Sequence, residues 1–192
     1  MGRAEKKLLR KQSLIEATVV CVNRYGYAQS TIQRIAAEAG LTGGTIYRHF
    51  NSKRDLFEAT MRHLLKLVLT EEREAVAKAD TDAERLKAVI MSKFAPGLFN
   101  SAFCTVWLHF WAHAQSDPAF SRIERLSDRL LHRSLRRYAR RIFPENEAAS
   151  LIEEISLVVD GLWIAHAQRQ TELTAQAANE IALGCLAARL GR

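Results

Sequence analysis

Around residue 45 the chain gathers side chains that can hold phosphate and read hydrogen-bonding edges. The stretch TGGTIYRHF covers residues 42–50. Thr42, Thr45 and Tyr47 offer hydroxyls, Arg48 offers a forked guanidinium, and His49 donates or accepts according to its tautomer. Gly43 and Gly44 stand where a helix begins, and a glycine inside a helix costs about 0.8–1.0 kcal/mol relative to alanine. Without a Cβ, the backbone at a helix start can come close to phosphates and base edges, where its N–H groups and positive dipole end point. A loose helix start is the other meaning of the pair. The basic, acid-poor setting favours the contact surface.

A second group of residues suits a cation. Trp107, Phe110 and Trp111 fall at i, i+3 and i+4, with Phe103 one turn earlier, so the four share a helix face. Trp163 follows Asp160 by three residues on another helix. Aromatic faces beside a carboxylate bind a quaternary ammonium by cation–π attraction. An aromatic stripe also serves as plain core, although a buried tryptophan N–H needs a partner. Spacing leaves both readings open.

Charge separates the two regions. Residues 1–54 hold ten Lys/Arg against three acids, a net +7, whereas the other 138 residues carry eighteen of each sign. Positive charge gathered at one end is the footprint of a phosphate-rich partner. The 192 residues are 48% hydrophobic and 26% charged, an ordinary globular composition. No apolar run reaches membrane-spanning length and the basic N-terminus lacks a signal-peptide core, so a cytoplasmic protein with no membrane partner is expected. Cys21, Cys104 and Cys185 are widely spaced and read as buried hydrophobes. No metal site is expected.

The positioning elements read as helices throughout. Leu8, Leu9, Ile15, Val19 and Val22 recur at helical spacing until Gly26 breaks the pattern. Residues 31–40 form a short helix capped by Ser30 or Thr31 and stopped by Gly40. Thr42 starts a second short helix ending near Phe50, and Asn51 or Ser52 opens a long one at Lys53. Two short helices around a tight turn in a basic region describe a helix-turn-helix, with its second helix in the major groove. Further helices are expected over about 83–93, 101–115, 119–142, 146–170 and 174–190, with Pro96, Pro118 and Pro144 at boundaries. The expected fold is all-α: a helix-turn-helix domain over 1–54, then a helical ligand-binding and dimerisation domain over 55–192.

These residues carry a resemblance. TIQRIAAEAGLTGGTIYRHFNSKRDLFEA resembles the DNA-binding segment of the TetR family of bacterial transcriptional regulators, through Thr31, Ile35, Ala36, Ala39, Gly40, Thr42, Gly44, Tyr47, His49, Phe50, Lys53 and Leu56. The resemblance implies a homodimeric, ligand-controlled repressor of operator DNA. It implies that Thr31 and Thr42 cap their helices and touch phosphates, that Tyr47 and Lys53 add phosphate contacts, and that Gly43, Gly44, Thr45 and Arg48 approach base edges. Phe50 would plug the core, and His49 would either contact the backbone or pack. VWLHFWAHAQ and VVDGLWIAHA further resemble the C-terminal domain of choline-responsive repressors of that family. They imply choline or a related quaternary amine as effector, with Phe103, Trp107, Phe110, Trp111, Asp160 and Trp163 around it and no cofactor.

Other patterns point elsewhere. His109 and His113 lie four apart, but no third ligand accompanies them. Arg122, Arg125, Arg129, Arg133, Arg136 and Arg140 form one stripe, a solvated face or a surface for an acidic partner. Gly161, in an apolar helix, suits close packing within or between subunits. An enzyme built on His113 and Asp160 lacks a nucleophile elbow, a metal triad or a phosphate loop, so no catalytic residue is assigned. A same-family regulator of another hydrophobic or cationic compound, and a ligand-free architectural protein, remain as alternatives.

Overall fold

Helical periodicity is realised along the whole described chain. In the computed structural model, residues 2–168 and 173–191 are described, and among them stand nine helices and no strand. They are α1 (Arg3–Gln29), α2 (Ile32–Glu38), α3 (Gly43–Ile46), α4 (Lys53–Ala77), α5 (Asp82–Ser92), α6 (Ser101–Ala114), α7 (Pro118–Ala139), α8 (Glu145–Ala167) and α9 (Ala175–Leu190). Arg169 and Gln170, expected to continue α8, lie outside the described residues. No helix among the described residues is long and apolar enough to cross a membrane.

The chain contacts divide it into two units: residues 1–64 with 105–123, and residues 65–104 with 124–192. The boundary expected after residue 54 falls inside α4, which runs through it unbroken. In the first unit, Leu14, Val22, Ile35, Ile46, Phe57 and Phe110 are fully enclosed. Tyr27 meets Phe57 edge to face at 4.6 Å and stacks on His113 at 3.8 Å. Arg54 grips Asp117 through Nε and Nη2 at 2.6 and 2.8 Å, and that bidentate pairing holds the Asp117 carboxyl below its usual range.

Gly26 is a bend in α1, not its end. Its φ of 73° lies in the left-handed region, and its carbonyl accepts from the Ser30 hydroxyl at 2.7 Å. A Cβ there would stand 3.4 Å from the His109 ring. A left-handed non-glycine residue costs about 1–2 kcal/mol, and the His109 contact, at ordinary van der Waals distance, adds little to that. Gly26→Ala is therefore expected to destabilise the protein by about 2 kcal/mol, read from the urea midpoint at constant slope.

The second unit is built on α5, α8, α9 and parts of α4, α6 and α7, with Leu86, Phe94, Leu135, Leu151, Ile155 and Leu186 at its centre. α5 begins with a capping box: Thr81 Oγ accepts from Glu84 N at 3.2 Å, and Glu84 accepts from Thr81 N at 2.9 Å. Within the core, Lys93 and Glu72 form a buried ion pair at 2.5 Å. α9 is tied to α8 by Arg189, which pairs with Glu154 at 2.5 Å.

Candidate nucleic-acid interface and effector site

α2 and α3 are held by ordinary helix chemistry. Thr31 caps α2 by accepting from Arg34 N at 3.3 Å, and its residue surface remains exposed. Gly40, with φ 65°, ends that helix and lets Leu41 N donate to Ala36 O at 2.8 Å. α3 is a single regular turn, Gly43–Ile46, followed by tight turns to Phe50, so it is shorter than expected. Ile46 and Phe50 point into the core and fix its roll.

The outer side of α3 is bare. Thr42 is the capping residue, but its hydroxyl meets Thr45 Oγ at 3.1 Å and caps no backbone N–H. Thr45 is buried, and its Oγ accepts from Arg48 Nη2 at 3.2 Å. The three side chains form a short relay that leaves the exposed guanidinium of Arg48 partly tethered. Tyr47 is 60% exposed. A Cβ on Gly44 would meet nothing within 4 Å, and one on Gly43 would only reach Ile32 Cγ2 at 4.0 Å. Neither glycine has a positive φ. Folding does not require glycine at either place.

His49 and Lys53 are more engaged than their neighbours. His49 is half-buried, and its Nδ1 is enclosed without a hydrogen-bond partner. Lys53 Nζ donates to the carbonyls of Tyr27 and Ala28 at 2.8 and 3.1 Å and lies over the Tyr27 ring at 4.8 Å. The ammonium thus closes the end of α1, and burial pulls its pKa down. A phosphate at this point would share a cation already committed to the fold.

The cation-suited residues fall in two settings. Phe103 and Trp163, both buried, meet edge to face at 5.7 Å in the second unit, and Trp163 Nε1 donates to Lys93 O at 3.1 Å. Phe110 belongs to the packed core of the first unit, 5.7 Å from Phe120 and 6.4 Å from Phe57. Trp107 is buried and Trp111 half-buried.

Asp160 keeps more than a third of its surface open, yet its carboxyl is pushed up to about 6. Crowding by protein atoms is the first cause, and the charges of Asp128 and Glu124 add to it. Glu124 and Asp128 are themselves raised by burial. Sequence reading passed over these two acids because the arginine stripe dominates α7. They stand four apart on the opposite side of that helix, and this spacing was the available signal. The six stripe arginines are exposed, and Arg140 pairs with Glu145.

Residues 14–60 match the model of bacterial regulatory proteins of the tetR family, and residues 82–191, more than half of the chain, match the C-terminal domain of BetI-type transcriptional repressors. The chain belongs to the TetR family, in its BetI type. The HTH-type transcriptional regulator BetI of Serratia proteamaculans is 34% identical over 171 residues, covering 88% of this chain and 86% of the relative. BetI of Ectopseudomonas mendocina is 32% identical over 194 residues, covering 100% and 99%. Among solved structures, a TetR transcription regulator of Haloarcula marismortui superposes with a TM-score of 0.82 at 20% identity, over 93% of this chain and 97% of that one. A protein from Saccharomonospora viridis solved in complex with choline superposes with a TM-score of 0.79 at 22% identity, over 90% and 92%. The protein is thus a BetI-type transcriptional regulator, a DNA-binding and non-enzymatic class.

Gly44→Ala is expected to stabilise the fold by up to about 1 kcal/mol, because it removes a helix penalty without a clash. The same change is expected to weaken binding to cognate DNA. Urea unfolding and DNA titration on one preparation would read both, and a fall in stability would contradict the open space around Gly44.

Proposed function

We propose that the protein is a homodimeric repressor working in the cytoplasm, which binds a two-fold operator through α3 and leaves it when choline or a closely related quaternary amine binds the second unit. The observation that carries the reading is the exposed, Cβ-free start of α3 beside a tethered Arg48, in the unit that holds the chain's excess positive charge. Contact to phosphates would come from Thr31, Thr42 and Tyr47, and contact to base edges from the Gly43–Gly44 backbone and Arg48. Thr45 would act by holding Arg48.

The dimer reading rests on α8 and α9. Leu157 is 72% exposed and Ile181 50%. Gly161 and Gly184 have open space where a Cβ would stand. Leu157 and Gly161 are four apart, and Ile181 and Gly184 three apart, so each pair lies along one helix face. An apolar face paved with glycine suits close helix packing against a second copy. Two-fold symmetry would then present two α3 helices about 34–36 Å apart, or a multiple of that spacing.

For the effector, the supporting features are Asp160 with Asp128 and Glu124, and the Phe103–Trp163 pair one helical turn away. A small cation relieves a cluster of like charges, and aromatic faces replace its water. The choline complex of the Saccharomonospora viridis protein points the same way. Release would require choline to prefer the dimer shape that fits DNA poorly, since equal affinity for both shapes shifts nothing. The test is selection of duplexes from a random library, followed by titration with choline. A two-fold motif released by choline, and not by carnitine or a long-chain acyl-CoA, is expected. Absence of an enriched motif would end the regulator reading, and release by another compound alone would end the choline assignment.

A further inference from the structure

The first turns of α1 form an arm that folding does not explain. α1 starts at Arg3, but its first buried residue is Leu14, so about 16 Å of helix precede it. Ala4 to Lys11 are exposed. This stretch carries Lys6, Lys7, Arg10 and Lys11 against one acid, Glu5, which is occupied by the Gly2 N–H at 3.2 Å. None of the four cations has a carboxylate partner among the described residues. A short helix that buries nothing and repels itself gains no stability from its own composition.

One side of the arm converges on the end of α3. Lys11 Nζ lies 5.3 Å from the centre of the Phe50 ring. Lys7, Arg10 and Lys11 from α1, with Arg48, all press on the half-buried imidazole of His49. After burial, their charges are what hold its pKa down. The enclosed Nδ1 of His49 has no partner. Gln12 fixes the base of the arm, donating to Glu16 at 2.9 Å and meeting His63 Nε2 at 3.4 Å. Four cations thus act on one ring, and Lys11 stands over the adjacent Phe50.

Resting on the operator-binding reading above, we propose that Lys7, Arg10 and Lys11 of the α1 arm, with His49, form a cradle for backbone phosphates of duplex DNA outside the stretch read by α3 and Arg48. The cradle consists of side chains from two elements, and the N–H groups at the start of α1 take no part in it. A duplex supplies closely spaced phosphates, and each one bound releases condensed counterions. The arm therefore adds affinity that is independent of sequence and steep in salt. Leu8 and Leu9, 69% and 51% exposed, lie on the other side of the arm. A basic helix with exposed leucines also suits an anionic membrane surface. DNA is favoured because the cations gather at the end of α3.

The test uses the full-length protein, the selected operator and a Lys7→Gln, Arg10→Gln, Lys11→Gln triple variant. All three positions are exposed, so the fold is expected to hold, and the unfolding midpoint checks it. The slope of log affinity against log salt should fall by about 0.9 for each phosphate lost. For two phosphates, raising salt from about 50 to about 200 mM should cost the wild type about tenfold more affinity than the variant. Discrimination between operator and random duplex should stay within about threefold, and hydroxyl-radical protection should shrink at the operator flanks. An unchanged slope and footprint in a folded variant would overturn the proposal. So would an unchanged slope together with wild-type binding to phosphatidylserine vesicles that the variant loses. Failure of the wild type to bind any operator would instead overturn the reading on which the proposal rests.

Discussion

At neutral pH, Asp160→Asn is expected to raise the thermal unfolding midpoint and to abolish the further rise that choline should cause if it is the effector. The two effects share one cause. The Asp160 carboxyl is pushed up to about 6 from an ordinary value near 3.8, by crowding and then by Asp128 and Glu124. Between those values the folded protein holds a proton that the unfolded chain has released. Stability therefore falls as pH rises from about 4 to about 6, and stays at the lower level above that. Asparagine cannot ionise, so it removes this loss. Because Asp160 is partly open to solvent, the gain should be a few degrees at most. A quaternary ammonium acts in the opposite direction: it favours the ionised carboxylate, so binding should expel a proton and weaken as pH drops below about 6. Differential scanning fluorimetry of wild type and variant, across pH and with and without choline, reads all of this. A retained choline shift in the variant would remove Asp160 from the effector site. A lowered midpoint at neutral pH would show that its charge is better compensated than Asp128 and Glu124 allow.

Such an opposition between stability and binding is hard to see in a sequence. The phrase VVDGLW shows an acid one turn from a tryptophan, and the structure adds the crowding, and after it the two acids of α7, that make its ionisation costly. Elements with local causes were legible: the Thr31 cap, the Gly40 stop, the charge excess before residue 55, and the Cβ-free start of α3. Roles that depend on distant partners were not. Lys53 looks like a free basic residue at a helix start, and only the fold brings it to the carbonyls of Tyr27 and Ala28. Thr45 looks like a surface hydroxyl, but Ile46 and Phe50 set the roll of α3 so that it turns inward. Phe110 has the spacing of a pocket residue and the surroundings of core, because Phe57 and Phe120 come from elsewhere in the chain. Gly26 announced a break, yet α1 bends there and continues to Gln29.

The largest effect on DNA is expected at Arg48. Its Nη2 donates to Thr45 Oγ, which also meets Thr42 Oγ, so one arm of the guanidinium is held while the residue as a whole stays exposed. A tethered fork suits bidentate contact with the O6 and N7 edge of a guanine, worth about 1–3 kcal/mol of discrimination. Arg48→Ala is therefore expected to lower operator affinity by about five- to 150-fold per half-site and to relax preference at one base pair of that half-site. Arg48→Lys should recover little, since an ammonium is a point charge without the fork. Thr45→Val, which keeps the shape and loses the tether, should lower discrimination at the same base pair and leave the salt slope unchanged. Binding measured against every single-base variant of the operator separates this from a plainer role. If Arg48→Ala weakens all duplexes equally and reduces the salt slope by about one, Arg48 holds a phosphate. Recognition would then pass to the Gly43–Gly44 backbone, whose bare approach to the groove is the feature that alanine at residue 44 would spoil.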